Sequence, residues 1–104
     1  MPTLAVTIAN NTNQSTSVDL SGLCLVGIHV PTGFDGTALT FQTSLDDATY
    51  VDVNVNGTAY QITVAAAKYE VVDYTKFLGV RFLKITSGTT QSPAAVLTLA
   101  ARNI

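Results

Sequence analysis

YVDVNVNGTAYQITV, Tyr50 to Val64, sets Asn56-Gly57 between two runs in which apolar and polar residues alternate. Asn-Gly suits the two central positions of a tight β-hairpin, because both must take positive φ. The alternation has a period of two, that of a strand with one buried face. Val51, Val53 and Val55 are therefore expected on the same side as Tyr60, Ile62 and Val64. This segment reads as two antiparallel strands, and the same pattern recurs on both sides of it.

Towards the N-terminus, ALTFQTS (Ala38 to Ser44) points Leu39 and Phe41 one way and Thr40 and Gln42 the other. LCLVGIHV (Leu23 to Val30) is apolar on both faces, with Cys24, Val26, Ile28 and Val30 on one and Leu23, Leu25 and His29 on the other. It stops at Pro31, which has no amide proton for a ladder. TLAVTIA (Thr3 to Ala9) lines up Leu4, Val6 and Ile8, and NNTNQSTS (Asn10 to Ser17) follows as a polar loop. Towards the C-terminus, YEVVD precedes YTKFLG (Tyr74 to Gly79), a single helical turn closed by glycine. VRFLKITS (Val80 to Ser87) and AVLTLAAR (Ala95 to Arg102) complete the set. PTGFDG and GTTQSP are turn clusters. Eight or nine short strands, no long helix and frequent turns predict an all-β fold, an antiparallel sandwich or barrel. Residues 1–104 read as one domain, with 1–11 either an N-terminal strand or an arm that contacts a neighbour.

Composition narrows the function. Of 104 residues only 12% are charged, half the roughly 25% of ordinary domains, and the net charge is −2. Five Lys and Arg leave no footprint for nucleic acid. No basic amphipathic stretch suits a membrane surface, and no apolar run nears the ~20 residues of a spanning helix. The start, MPTLAVTIANN, lacks the basic and long apolar regions of a secretory signal. A single cysteine excludes an internal disulfide. A free monomer usually carries a well-charged surface, so low charge suggests a surface covered by partners.

The candidate chemistry is thin. Asp46 and Asp47, with Asp52 beyond them, raise the question of a metal clamp or an acid/base pair. Calcium needs six to eight oxygens, and paired carboxylates of a glycosidase must flank a cleft; adjacent aspartates suit a turn instead, where the side chain bonds its own backbone. His29 is the lone histidine and has no triad partner at a suitable spacing. Cys24 alternates with apolar residues and reads as a small buried hydrophobe. No cofactor motif is present, and no catalytic residue is assigned. Phe34, at the tip of PTGFDG, is either tucked over the end of the sandwich or presented to a partner.

Several of these segments together resemble a known family. GLCLVGIHVPTGFDGTALTFQTSLDDATYVDV and YTKFLGVRFLKITSGTTQSP resemble the small jelly-roll virion proteins of tailed bacteriophages, over roughly Ser17 to Ile104. The same segments are similar to the galactose-binding-like (discoidin) sandwich, in which the SxDG stretch is a hairpin turn. Asp47 stands here where that pattern prefers glycine. The resemblance implies a jelly-roll β-sandwich and a virion structural protein. The post it implies is a decoration or cement protein outside the head, bound to the major capsid protein and to itself as a trimer or dimer. A tail or baseplate accessory, or a carbohydrate-binding module for host glycans, is the alternative. Leu4, Val6, Ile8, Leu23, Leu25 and Phe34 are the candidate assembly contacts. Discoidin-like sugar sites are rich in Trp, Arg and His, and no such residue carries over.

Overall fold

A computed structural model describes residues 3–103. Within them eleven strands form two packed sheets and a small ribbon. They are β1 (Thr3–Ile8), β2 (Val18–Asp19), β3 (Cys24–His29), β4 (Ala38–Ser44), β5 (Val51–Asp52), β6 (Asn54–Val55), β7 (Thr58–Ala59), β8 (Gln61–Thr63), β9 (Tyr69–Val71), β10 (Phe82–Ser87) and β11 (Ala95–Arg102). The first sheet, A, has the order β1-β11-β3-β9. The second, B, has the order β2-β10-β4-β5, with β8 also paired to β4. All pairings are antiparallel. The fold is a β-sandwich of jelly-roll type: alternation predicts an antiparallel sandwich or barrel, and the resemblance implies the jelly roll.

The strand count exceeds nine because both runs flanking Asn56-Gly57 are broken. Val53 and Tyr60 interrupt them, and Tyr60 N–H bonds the Val53 carbonyl at 2.8 Å. The inner halves, β5 and β8, lie along β4, while the outer halves, β6 and β7, form a separate ribbon. Asn56 (φ 54) and Gly57 (φ 81) make the turn at its tip, both left-handed as a primed hairpin turn requires. Val53 and Val64 are buried and Val55, Tyr60 and Ile62 are half-buried. Val51 keeps the expected face, in the row of Thr43 and buried Leu83, but at the edge of the sheet it is 59% exposed.

The two-faced strand β3 has a physical explanation. Its pairing with β11 slips between Ala100 and Ala101: Gly27 faces Ala100, Leu25 faces Ala101, and Val26 has no partner. A bulge of this kind inserts one residue and reverses the alternation. Leu25 and Ile28 consequently both point inward and are fully buried. The expectation that Leu25 and Ile28 lie on opposite faces is thus corrected, and His29 alone of the named polar positions turns outward, exposed.

The core fills from both sheets: Val6, Ile8, Leu25, Ile28, Leu97 and Leu99 from sheet A meet Leu39, Phe41, Leu83 and Ile85 from sheet B. Phe77, in a 3-10 turn over Tyr74–Phe77, stands edge-on to Phe41 at 5.0 Å between ring centroids and closes one end. Asp73 caps that turn by accepting from the Thr75 amide, and Gly79 (φ 85) ends it, as the sequence predicts.

Thr3–Ile8 pairs with β11 over six residues and buries Val6 and Ile8. It is a strand of its own sheet, and Met1 and Pro2 lie outside the described residues. Burying two such side chains contributes about 1.5–3 kcal/mol each, against a total stability of roughly 5–15 kcal/mol for a domain. Deleting residues 1–9 is therefore expected to abolish the cooperative melting transition, read by circular dichroism. A truncated chain that melts near the parent temperature would show the strand to be dispensable.

Candidate interaction surface

The residues singled out for chemistry serve the fold. Asp46 Oδ1 accepts from Ser44 Oγ at 2.8 Å and from the amides of Ala48 and Thr49 at 3.0 and 3.2 Å. Asp47 takes φ 59 and receives a hydrogen bond from the Tyr50 hydroxyl. Asp52 lies on the other face of the pair and accepts from Gln42 Nε2 at 3.0 Å. The three acids are thus turned to separate local partners, and the stretch is a turn between β4 and β5. The Ala48 amide, then the Ser44 hydroxyl and the Thr49 amide, hold the Asp46 carboxyl below its ordinary 3.8. Among the described residues no three of His, Cys, Asp and Glu converge on a point. Cys24 is buried with Sγ 3.2 Å from the Tyr74 carbonyl, and burial pushes its thiol up.

The six candidate assembly contacts are placed as follows. Val6, Ile8, Leu25 and Phe34 are buried inside the sandwich and belong to the core. Leu4 is half-buried and packs against that core, and Leu23 is half-buried beside the 3-10 turn. In the chain by itself, then, the apolar faces chosen from alternation are used internally, because the bulge and the strand pairing of β1 turn them inward. Phe34 takes the tucked alternative. Its loop is held by Gln91, which the sequence reading passed over.

Gln91 is fully buried and acts as a polar staple. Its Nε2 donates to the Asp35 carbonyl at 2.7 Å and to Ser87 Oγ at 3.0 Å, and its Oε1 accepts from the Asp35 amide at 2.9 Å. Asp35 in turn accepts from the Ser92 amide at 2.9 Å. Residues 31–36 and 88–92 are joined by these bonds at one end of the molecule. Ser15 plays a similar part in the N-terminal loop: it is buried, and its Oγ accepts from the Ile85 amide at 2.9 Å.

What remains available to a partner is the outside of the two sheets, and the two differ. The outer face of sheet B is wired to itself. Gln14 Nε2 donates to Gln42 Oε1 at 2.7 Å and Gln42 donates on to Asp52. Lys84 lies 4.4 Å from the centre of the Tyr50 ring, and Arg81 pairs with Asp19 at 3.4 Å. The outer face of sheet A is almost uncharged. Ala5, Thr98, His29 and Tyr69 stand in one row across all four strands, with Thr3, Ala100, Gly27 and Val71 in the next. A Cβ at Gly27 would collide with the Tyr69 ring, which lies across the strand there. Arg102, at one end, is the charged residue of this face. Burying hydroxyls and methyls costs far less desolvation than burying ions, and charged residues are depleted from interface cores. Sheet A therefore presents the surface better suited to contact. A cleft of about 220 Å³ lies beside it between Leu23, Phe77, Leu78 and Val80, with Arg81 at its rim. It is smaller than the ~300–1,000 Å³ of ordinary ligand pockets.

No family profile matches the sequence, and no curated protein does. Solved structures that share the fold include the following two. A SPBc2 prophage-derived protein, YomS, superposes with a TM-score of 0.60 at 7% identity, covering 96% of this chain and 93% of its own. A carbohydrate-binding domain, CBM32-1 from a family 31 glycoside hydrolase of Clostridium perfringens, superposes with a TM-score of 0.54 at 16% identity. That match covers 88% of this chain and 71% of the other. At these identities the likeness is one of fold alone, a small antiparallel β-sandwich.

Two outcomes follow from the local bonding. Gln91→Leu strands the Asp35 amide and carbonyl in a closed site; each lost bond costs about 1–3 kcal/mol, so the melting temperature is expected to fall by several degrees or more. An unchanged melt would remove the staple. The second concerns acid. A carboxyl whose folded pKa is depressed stabilises the fold above its unfolded value, and that contribution fades as pH falls below 3.8. Asp46→Asn keeps the acceptor but does not titrate, so its melting temperature is expected to fall less steeply below that pH than the parent's. Asp19 and Asp73, also depressed, keep part of the slope in both proteins.

Proposed function

We propose that this chain is an accessory structural protein of a bacteriophage particle, a decoration or cement protein on the outside of the assembled head. Its partners in this reading are the major capsid protein and further copies of itself. The observation that carries it is the nearly uncharged outer face of sheet A on a domain of very low charge. That face suits burial against another protein and gives little to a soluble, solitary life. The sequence resemblance over Ser17 to Ile104 to phage jelly-roll virion proteins supports the same reading, and the fold likeness to a prophage-derived protein agrees with it.

The mechanism is mass action. A protein that binds the assembled lattice, and not its separated subunits, stabilises the lattice by its binding free energy. Packed nucleic acid presses the shell outward, and each bridging contact raises the cost of separating neighbours. A contact worth only ~1.4 kcal/mol shifts the local equilibrium tenfold, and many copies multiply that gain.

The fold likeness to a carbohydrate-binding domain supports a second reading, attachment to host glycans. The absence of tryptophan from the chain weighs against it, since sugar sites stack their ligands on aromatic rings.

Particles produced without this protein are expected to assemble and to release their contents at a lower temperature, and added protein is expected to restore the parent value. A glycan-binding attachment protein gives the opposite pattern: weaker adsorption to cells with unchanged heat release. A tail or baseplate accessory leaves the isolated heads unaffected. Either pattern would displace the head-decoration reading.

A further inference from the structure

β9 ends sheet A, and nothing pairs with its outer side among the described residues. Its inner side is committed to β3: the Val30 amide bonds the Lys68 carbonyl and the Val72 amide bonds the Val26 carbonyl, both at 2.8–3.0 Å. The backbone groups of Lys68, Glu70 and Val72 thus face β3, and those of Tyr69 and Val71 face outward, because direction alternates along a strand. The side chains at this edge are also open: Val71 is 84% exposed and Tyr69 52%. Unpaired edges with apolar side chains are templates for another strand.

We infer that this edge joins β9 of a second copy, antiparallel, about a twofold axis through Tyr69. The two A sheets then run on as one eight-stranded sheet. Charge selects both the occupant and the register. With the axis at Tyr69, the two Tyr69 residues exchange backbone hydrogen bonds, as their outward-facing groups permit. Lys68 of each copy then stands opposite Glu70 of the other. These are non-hydrogen-bonded positions, where side chains approach most closely. Neither residue has an ion-pair partner within the described part of its own chain. An axis at Glu70 would set the two carboxylates against each other, and one at Val71 would bring the capped 3-10 turn after Asp73 into the seam. The edge is short. It falls below the ~800 Å² per partner of a standard interface, so the joint is weak in the free protein and strengthens where copies are concentrated.

This inference names the self-contact of the particle reading and rests on that reading only for its purpose. It is tested on the free protein, by sedimentation over roughly two decades of concentration and by amide exchange. The parent chain is expected to dimerise reversibly, with protection of the Tyr69 amide, at the centre of the seam, rising with concentration. Lys68→Glu and Glu70→Lys each place like charges across the seam and are expected to weaken association about tenfold, a change of ~1.4 kcal/mol. The double variant is expected to restore it. Melting temperatures confirm that each variant is folded. A parent chain that stays monomeric, single variants that associate as the parent does, or a folded double variant that is not restored would each overturn the joint. Protection that rises elsewhere instead would also overturn it. Particles whose heat release does not depend on the protein, with the dimer intact, would sink the particle reading and leave the joint standing.

Discussion

One slip in strand pairing organises the molecule. Where β3 meets β11, Val26 is left without a partner, and from there the inward and outward sets of β3 exchange places. Leu25 and Ile28, three residues apart, both enter the core. Without the slip, strict alternation would turn one of them away from the core. Because Gly27 faces outward, Tyr69 can lie across it and close the sheet towards β9. The apolar character of both faces of this strand is therefore a consequence of packing within one chain.

The loops depend on polar side chains to an unusual extent, which fits a chain with so few charges. Gln91 and Ser15 are buried and hydrogen-bonded to backbone groups that are distant in sequence. Each satisfies amides or carbonyls that strand pairing leaves over at the ends of the sandwich. A buried amide or hydroxyl can do this with modest desolvation, where an ion would need a partner of its own. Thr, Ser, Asn and Gln thus replace ion pairs both as solubilising groups and as structural ones. The exposed pair of Arg81 with Asp19 contributes little by comparison.

The same economy divides the two outer faces. Sheet B uses its polar side chains on one another, through Gln14, Gln42 and Asp52. Sheet A leaves its hydroxyls, methyls and one aromatic ring facing out with almost no charge. A small sandwich with one self-satisfied face and one bland face has a direction in which to dock. The likeness to a prophage protein and to a carbohydrate-binding domain is a likeness of frame, and the difference in use between such frames lies in what the faces and loops carry.

The sequence by itself determined the period of the longer strands, the primed turn at Asn56-Gly57, the helical turn closed by Gly79 and the turn at Asp46-Asp47. These are local: they depend on φ preferences and on alternation within a few residues. It also determined the low charge, and with it the kind of surface available. Tertiary structure decided which apolar residues are buried and which are offered. Alternation put Val51 with the core, yet at the edge of the sheet it is exposed. Leu25 reads as available from its position and Phe34 as either tucked or offered; both are covered, Phe34 beside a loop stapled through Gln91 and Leu25 through a bulge. Val18–Asp19 is too short to show a period and exists because Phe82 and Leu83 pair with it. Burial and register are properties of two segments brought together, and no single strand carries them in its own residues.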